Sequence, residues 1–281
     1  MGLTYIQLGT WNIKHLGQQP TEGERSQSVY ALADHIEMAG IDVLALQEIY
    51  VTKMVDGKRS NEHLDKTCEL LMEHTAADWK YSILENRDPE DTSQLCGVLW
   101  NNSILELVES IPIPVNHKIG NDWLWDRKPH AVKFKTREPI LNKNRNFVLI
   151  PLHMKANGRD SRAKQKRKLE AEQLAQQIPW VINKMDDESI VLLGDTNILG
   201  SWEDASESLI DAGFDDLNAE DDATYAGSKA PFDRFYVKSE RPEFKYSRQY
   251  VLKSASVSSH ERFLSDHYLI KTSIKIYVDP S

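Results

Sequence analysis

Short apolar runs and longer amphipathic segments follow one another along the chain, and their periodicity predicts strands joined by helices. Short runs, here of three to nine residues, that alternate or are apolar throughout are typical of half-buried and buried strands. The predicted strands are Thr4–Thr10, Ile41–Ile49, Trp79–Leu84, Leu95–Trp100, Leu105–Ser110, Ala131–Phe134, Asn146–Leu152, Ser189–Leu193, Phe235–Val237 and Tyr268–Ile276.

The helical segments lie in the connections between these strands. Thr21 with Glu24 three residues on resembles a capping box, and the apolar spacing that follows predicts a helix ending at Gly40. Further helices are predicted over Asn61–His74, from near Asp160 to Met185 with a bend or break at Pro179, and over Trp202–Ala212.

Strands outnumber helices and their order is mixed, which predicts an α/β fold of two packed mixed sheets with helices on their outer faces. No GxGxxG motif and no simple Rossmann alternation is present. Because no linker or repeat divides the 281 residues, we expect a single domain over residues 1–281.

Composition adds limits to this picture. A net charge of −9 argues against coating nucleic acid by bulk attraction, but it does not exclude a nuclease. No apolar stretch reaches the roughly 18 residues of a membrane helix, so no membrane association is expected, and Trp123 and Trp125 are expected to anchor a loop rather than a bilayer-inserting hairpin. A cytoplasmic location is favoured, while secretion after signal removal stays open.

Cys68 and Cys96 match no zinc spacing and are expected to be free thiols.

Charge is unevenly distributed along the chain. Lys155–Lys168 holds seven basic residues and one acid, whereas Ser201–Asp222 holds nine acids and no Lys or Arg. The basic run is either a solvated helix face or a phosphate contact made by Arg159 and Arg162.

Polar residues with catalytic chemistry follow the predicted strands. In an α/β sheet such positions converge in a crevice beyond the strand ends. Hard carboxylates with an amide oxygen suit Mg²⁺ or Mn²⁺, and imidazoles beside carboxylates suit proton transfer. The residues are Asn12, Glu48, His153, Asp195, Asn197, Asp233, Asp266 and His267.

Six segments carry these residues in order: TWNIKHLG, LQEI, LHMKA, GDTNI, DRFYV and SDHYLI. They resemble the motifs of the endonuclease/exonuclease/phosphatase superfamily, from Gly9 to Ile270. The resemblance implies a four-layer α/β sandwich and metal-assisted hydrolysis of phosphate esters. It assigns Asn12, Glu48 and Asp266 to the metal, Asp195 and Asn197 to the nucleophile and phosphate, Asp233 with His267 to the His–Asp pair, and His153 to the second histidine.

The branch is indicated by Asp126–Phe134, which resembles the Arg-x-Pro-x-x-Val-Lys-Phe stretch of pancreatic-type deoxyribonucleases and assigns a DNA phosphate to Arg127. The alternative for Arg127 is a surface salt bridge. Inositol-polyphosphate 5-phosphatases, abasic-site endonucleases and sphingomyelinases fit less well, and a catalytically inactive binding member is a further alternative.

The sequence therefore favours a monomeric Mg²⁺- or Mn²⁺-dependent endonuclease that cuts DNA with little sequence preference. In that branch a glutamate on an earlier strand backs the second histidine, and our alignment puts Gln94 in its place, with Glu85 as the alternative. A neutral amide does not stabilise an imidazolium as a carboxylate does, so we expect His153 to be neutral near pH 7.

Overall fold

The computed structural model of the protein describes residues 5–18, 27–86, 88, 90–137, 145–158 and 162–275. Its strands are β1 (Tyr5–Leu16), β2 (Val43–Ile49), β3 (Lys53–Val55), β4 (Lys58–Ser60), β5 (Trp79–Ile83), β6 (Leu95–Asn101), β7 (Leu105–Pro112), β8 (Lys118–Ile119), β9 (Asp122–Trp123), β10 (His130–Thr136), β11 (Asn146–His153), β12 (Ile190–Asp195), β13 (Asp215–Asp216), β14 (Asp233–Val237), β15 (Tyr250–Leu252) and β16 (Leu269–Lys275). The helices are α1 (Val29–Ala39), α2 (Glu62–Thr75), α3 (Ala163–Met185), α4 (Asp204–Asp211) and α5 (Val257–Phe263).

Two six-stranded mixed sheets form the centre of the molecule. The first has the order β15-β16-β1-β2-β6-β5 and the second β13-β14-β12-β11-β10-β7. Within them, β1 pairs with β2 in parallel and β11 with β12 in parallel, while β16 and β14 run antiparallel to their neighbours.

Three apolar layers hold the sheets and helices together. In β2, Val43 and Ala45 face the second sheet, whereas Leu44 and Leu46 face α1 and α2. The side chains of β12 divide in the same way between the first sheet and the pair α3 and α4. Because successive side chains of a strand point to opposite faces, a strand covered on both sides reads as a continuous apolar run. The predicted four-layer sandwich is confirmed.

Several element boundaries differ from the sequence predictions. α1 begins at Val29, where the Ser28 hydroxyl accepts a hydrogen bond from the Ala31 amide and acts as N-cap. α3 runs unbroken through Pro179, because Ile178 and Val181 pack into the buried layer on either side. Five residues that were predicted to bound or cap an element lie outside the described part of the chain: Thr4, Thr21, Glu24, Asp160 and Ile276.

The cysteine prediction is confirmed, and the tryptophan prediction holds for one residue of two. Cys68 and Cys96 are buried free thiols. Trp125 is 1% exposed and anchors its loop, but Trp123 is 54% exposed on the β8–β9 hairpin. The expectation of a loop anchor at Trp123 is wrong, because β9 ends the hairpin before the chain turns inward at Leu124. None of the helices that the structure describes has the length and hydropathy of a membrane span.

Candidate active site

The predicted site residues meet at one edge of the sandwich because strands of both sheets end there. On the second sheet, His153 lies opposite Asp195 in the parallel β11–β12 pair, and Asp195 lies opposite Asp233 in the antiparallel β12–β14 pair. On the first sheet, Asn12 lies opposite Gln47, next to Glu48. The register alone therefore brings one residue of each strand to the same edge.

These strand ends surround a cavity of about 360 Å³. Most of the lining side chains are polar or ionisable, and two aromatic rings complete the wall. The lining residues are Lys14, His15, Glu48, His153, Ala156, Asn157, Gly158, Asp195, Asn197, Tyr225, Ser228, Phe232, Asp266 and His267.

His267 and Asp233 form a buried ion pair at this cavity. The His267 Nδ1 lies 2.8 Å from the Asp233 Oδ2, and Ser265 accepts a hydrogen bond from the His267 amide. Burial alone would lower the pKa of the His267 ring, but the charges of Asp233 and Asp195 outweigh it and raise the pKa to about 10. His267 is therefore an imidazolium at neutral pH, with its Nε2 turned toward Asp195.

Asp195 is the carboxylate between the two histidines. It accepts hydrogen bonds from the Asn12 side-chain amide at 2.9 Å and from the Asn197 backbone at 3.0 Å. Burial raises the pKa of Asp195 to about 7, and the nearby His267 charge opposes this shift. At neutral pH Asp195 is therefore suited to exchange a proton.

Glu48 lies across the cavity, and its backbone has the left-handed φ of 64°. The Asn12 amide nitrogen lies 3.1 Å from its Oε1, while the His15 backbone amide and the His15 Nε2 each lie 3.2 Å from its Oε2. The other ring nitrogen of His15 lies 3.2 Å from the Tyr50 hydroxyl. Three polar contacts thus fix a carboxylate whose backbone is itself strained, and Tyr50 in turn contacts one of the contributing side chains, His15.

Sequence reasoning missed His15. It lies inside the TWNIKHLG segment, but hydrophobic periodicity does not reveal that Lys14 and His15 both have positive φ, at 48° and 54°. This irregularity in the β1–β2 pairing between Asn12 and Leu16 turns the His15 ring toward Glu48. The available signal was a histidine within this motif, three residues after Asn12.

His153 is buried between the two carboxylates. Its Nε2 lies 3.8 Å from the Glu48 Oε1 and 3.7 Å from the Asp195 Oδ2. Burial and the nearby Arg127 charge lower the pKa of His153 well below its usual value, in agreement with a neutral ring.

The predicted partner of His153 is wrong. Within the described residues its Nδ1 has no hydrogen-bond partner, and the Gln94 side chain bonds to Tyr50 instead. The positive φ of Gln94, 51°, accompanies this different direction. Glu85 is exposed and interacts with His130 rather than with His153.

The remaining predicted residues lie at different depths around the cavity. Asp266 lines it with an oxygen 3.2 Å from the Lys14 ammonium. Asn197 also lines it, with its amide nitrogen 3.3 Å from the Met154 carbonyl. Arg127 lies near His153 and donates to the Gln94 carbonyl at 3.2 Å; its side chain is 14% exposed and does not line the cavity. Arg162 pairs with Asp122 at 2.8 Å on the β8–β9 hairpin, and Arg159 lies outside the described residues.

Comparison with known proteins rests on structure. No family model and no curated protein matches the sequence. A Bacteroides thetaiotaomicron endonuclease/exonuclease/phosphatase family protein superposes with a TM-score of 0.67 at 16% identity, covering 98% of this chain and 99% of the other. The chain has the endonuclease/exonuclease/phosphatase fold.

Other proteins with the same fold differ in what they bind. Danio rerio TDP2, in complex with a single-stranded DNA product, matches with a TM-score of 0.58 at 14% identity over 96% and 99% of the two chains. The Bacteroides thetaiotaomicron mannosyl-6-phosphatase Bt3783 matches with a TM-score of 0.58 at 13% identity over 96% and 99%. At these identities the endonuclease/exonuclease/phosphatase fold is shared, and the substrate is not determined by it.

The side chains at the cavity suit a divalent cation. Glu48 and Asp266 present carboxylates to the cavity that are 16% and 20% exposed, and Asp266 already holds a cation, the Lys14 ammonium. Asp195, Asp233 and His267 also place ligand-type atoms within 4.8 Å of one another, and the buried Asp233 Oδ1 has no hydrogen-bond partner among the described residues, but a protonated His267 is not a metal ligand. Oxygen donors of this kind fit Mg²⁺ or Mn²⁺.

Proposed function

We propose that this chain is a member of the endonuclease/exonuclease/phosphatase superfamily that hydrolyses phosphodiesters in nucleic acid with Mg²⁺ or Mn²⁺, with DNA the favoured substrate. The observation that carries the proposal is the arrangement of the cavity. A buried imidazolium–carboxylate pair, a carboxylate with a pKa near 7 and an oxygen-rich wall face the same space.

Glu48 and Asp266 would hold the cation. When bound, it supplies positive charge that stabilises the negative charge of the phosphate in the transition state. Asn12 links the two carboxylates, because its side-chain amide nitrogen donates to both Glu48 and Asp195. Its Oδ1 accepts a hydrogen bond from the Lys14 backbone amide. That Asn12 is itself a metal ligand remains a prediction, and its Oδ1 would be the ligand atom.

Asp195 and His267 divide the proton chemistry. Asp195 in its carboxylate form accepts the proton of the water that attacks phosphorus, because its pKa near 7 leaves a reactive fraction ionised at neutral pH. His267 stays protonated through its contact with Asp233, and its Nε2 donates to a phosphate oxygen. One O–P bond forms to the water oxygen and the bond to the leaving oxygen breaks; that oxygen takes up a proton from solvent, and Asp195 releases the proton that it accepted to solvent.

His153 and Asn197 orient the substrate in this scheme. A neutral His153 donates a hydrogen bond to phosphate without competing for the proton, and the Asn197 amide serves the same phosphate. Arg127 lies near His153 and is bonded to the Gln94 carbonyl. We therefore propose that its positive charge stabilises the bound phosphate from a distance and that its side chain does not contact the phosphate directly.

Nucleic acid is favoured over small phosphate esters on two grounds. The Asp126–Phe134 stretch resembles that of the pancreatic-type deoxyribonucleases, and a protein of the same fold was solved with a single-stranded DNA product. The mannosyl-6-phosphatase of the same fold makes phosphomonoesters the comparison to test.

The test is hydrolysis of supercoiled plasmid, single-stranded DNA, RNA, an abasic duplex, inositol phosphates, a sugar 6-phosphate and sphingomyelin, each with Mg²⁺, with Mn²⁺ and in excess chelator. We expect metal-dependent plasmid nicking that Glu48→Gln strongly reduces. Exposed Tyr246→Phe, remote from the cavity, is the control. Full hydrolysis in chelator, or phosphate release from monoesters without nicking, would contradict the proposal.

A further inference from the structure

Two exposed tryptophans lie on either side of the first turn of α3. Trp123 on the β8–β9 hairpin is 54% exposed, and Trp202, just before α4, is 65% exposed. The hairpin is tied to this turn by the Arg162–Asp122 ion pair at 2.8 Å, and Trp202 is tied to it by Lys164, whose ammonium lies 4.5 Å from the ring centroid.

Each indole has a lysine over its face. Lys118 lies 5.0 Å from the Trp123 ring centroid, as Lys164 does at 4.5 Å from that of Trp202. A nearby pair, Lys168 with Asp204 at 2.9 Å, lines a small cavity of about 200 Å³ beside the Trp202 ring. The surface thus offers flat aromatic area and ammonium groups together.

The position of Trp202 depends on a glycine. A Cβ at Gly200 would lie 2.2 Å from the Trp202 Nε1, so only glycine allows the indole to lie across this backbone. Behind it, the buried Arg167 and Glu203 form a bidentate ion pair, with distances of 3.0 and 2.8 Å, that fixes the same loop to α3. The indole is therefore held in place although it is exposed, which favours binding because little ordering remains to be done.

Short chain segments connect the cavity with Trp202 and with Arg162, which holds the β8–β9 hairpin. Asn197 lines the cavity and Trp202 follows five residues later; Asn157 also lines it and Arg162 follows five residues later. Five residues span at most about 18 Å. A stacked strand advances about 3.4 Å per nucleotide, so at most about five nucleotides connect the cavity with the backbone of Trp202 or of Arg162.

We propose that Lys118, Trp123, Lys164 and Trp202, the α3 strip, bind a single strand of nucleic acid that enters the cavity. Indole faces stack with bases without sequence preference, and the ammonium groups contact phosphates. The strip rests on the proposed function for its substrate. It adds that an unpaired strand is bound in preference to a duplex and that affinity grows with strand length.

Binding is measured first, separately from hydrolysis. The probe is a fluorescein-labelled twelve-nucleotide oligothymidylate in excess chelator, titrated by fluorescence anisotropy at several salt concentrations. We expect Trp202→Ala to weaken binding by about tenfold, and Trp202→Phe to retain most of it. Lys164→Gln should reduce the slope of log K against log salt by about 0.7, the value for one lost phosphate contact in a single strand.

The matched control is Tyr246→Ala. Tyr246 is 76% exposed and also has a lysine over its ring, Lys245 at 5.6 Å, but the adjacent Ser247 bonds to Ser273, in the half of β16 that leads away from His267. It repeats the aromatic–lysine pair without the neighbouring cavity. The Tyr246→Ala variant should bind the oligonucleotide with the affinity of the wild type. Thermal melts check that every variant is folded.

Hydrolysis then separates the strip from the proposed function. With Mg²⁺ or Mn²⁺, wild-type KM should fall from a dinucleotide to the twelve-nucleotide strand, and Trp202→Ala should remove this length dependence. Equal binding by Trp202→Ala and wild type, or a duplex bound more tightly than the single strand, would contradict binding at the α3 strip. Neither result would contradict the proposed hydrolysis. Trp202-dependent binding without any hydrolysis would overturn the proposed function and leave the strip intact.

Discussion

The Tyr50 hydroxyl offers a sharp test of how Glu48 is positioned. Tyr50 contacts His15, His15 contacts Glu48, and Gln94 contacts the Tyr50 hydroxyl in turn. Tyr50→Phe removes one oxygen from this chain of contacts and leaves the ring in place. If Glu48 binds the metal, the variant should bind Mn²⁺ more weakly.

The size of the effect follows from the geometry. The hydrogen bond between Tyr50 and His15 spans 3.2 Å and is worth about 1 kcal/mol, and a loss of that size corresponds to roughly fivefold in affinity. His15→Ala also removes the contact with the Glu48 carboxylate. Because the His15 side chain is 38% exposed, we expect about tenfold, the lower end of the range for residues that support a metal ligand.

The assay is a Mn²⁺ titration followed by electron paramagnetic resonance, with hydrolysis measured at saturating Mn²⁺. If Tyr50 and His15 position Glu48, their variants should have a raised dissociation constant for Mn²⁺ and a hydrolysis rate that recovers at high Mn²⁺ concentration. Tyr81→Phe is the matched control, since its hydroxyl bonds to Asp65 at 2.6 Å and to Ser60 at 2.7 Å. An unchanged dissociation constant in both Tyr50→Phe and His15→Ala would refute the reasoning.

Three further outcomes are expected. The rate should rise through about pH 7 as Asp195 loses its proton and fall near pH 10 as His267 loses its own; Asp195→Asn should remove the lower limb, and a pH–rate profile checks both. His267→Ala should cost at least tenfold more in kcat than His153→Ala, and equal losses in steady-state kinetics would count against this division. Gly194→Ala should lower the free energy of unfolding by about 3 kcal/mol or more in urea titrations, because φ is +145° and its Cβ would lie 2.1 Å from the Leu152 carbonyl oxygen; a change under about 1 kcal/mol would contradict this.

The sequence predicted the sheets and the site edge well because both depend on periodicity and on strand ends. Val43–Ile49 is apolar because it is covered on both faces, and Glu48 follows from its position near the end of that strand. His153, Asp195 and Asp233 lie side by side for the same reason. Local patterns carry this information directly.

Side-chain direction was beyond the sequence. Gln94 bonds to Tyr50 rather than to His153, and the ring of His15 reaches Glu48, because positive φ values turn the backbone at both places. Residues other than glycine adopt such values only where the surrounding structure compensates the strain. The exposure of Trp123 could not be predicted either, because the short β8–β9 hairpin has no apolar alternation that shows which side faces solvent.

The position of β16 in the first sheet bears on the order in which the protein matures. This strand comes from the end of the described chain, yet it lies between β1 and β15, with Tyr5 opposite Lys275. His267 and Asp266 immediately precede it. During synthesis, the two halves of the His267–Asp233 pair are separated until these residues leave the ribosome and β16 inserts beside β1. A nascent chain therefore lacks the His267–Asp233 pair until β16 has been synthesised and has inserted beside β1, so the candidate site is completed only by the closing of this sheet.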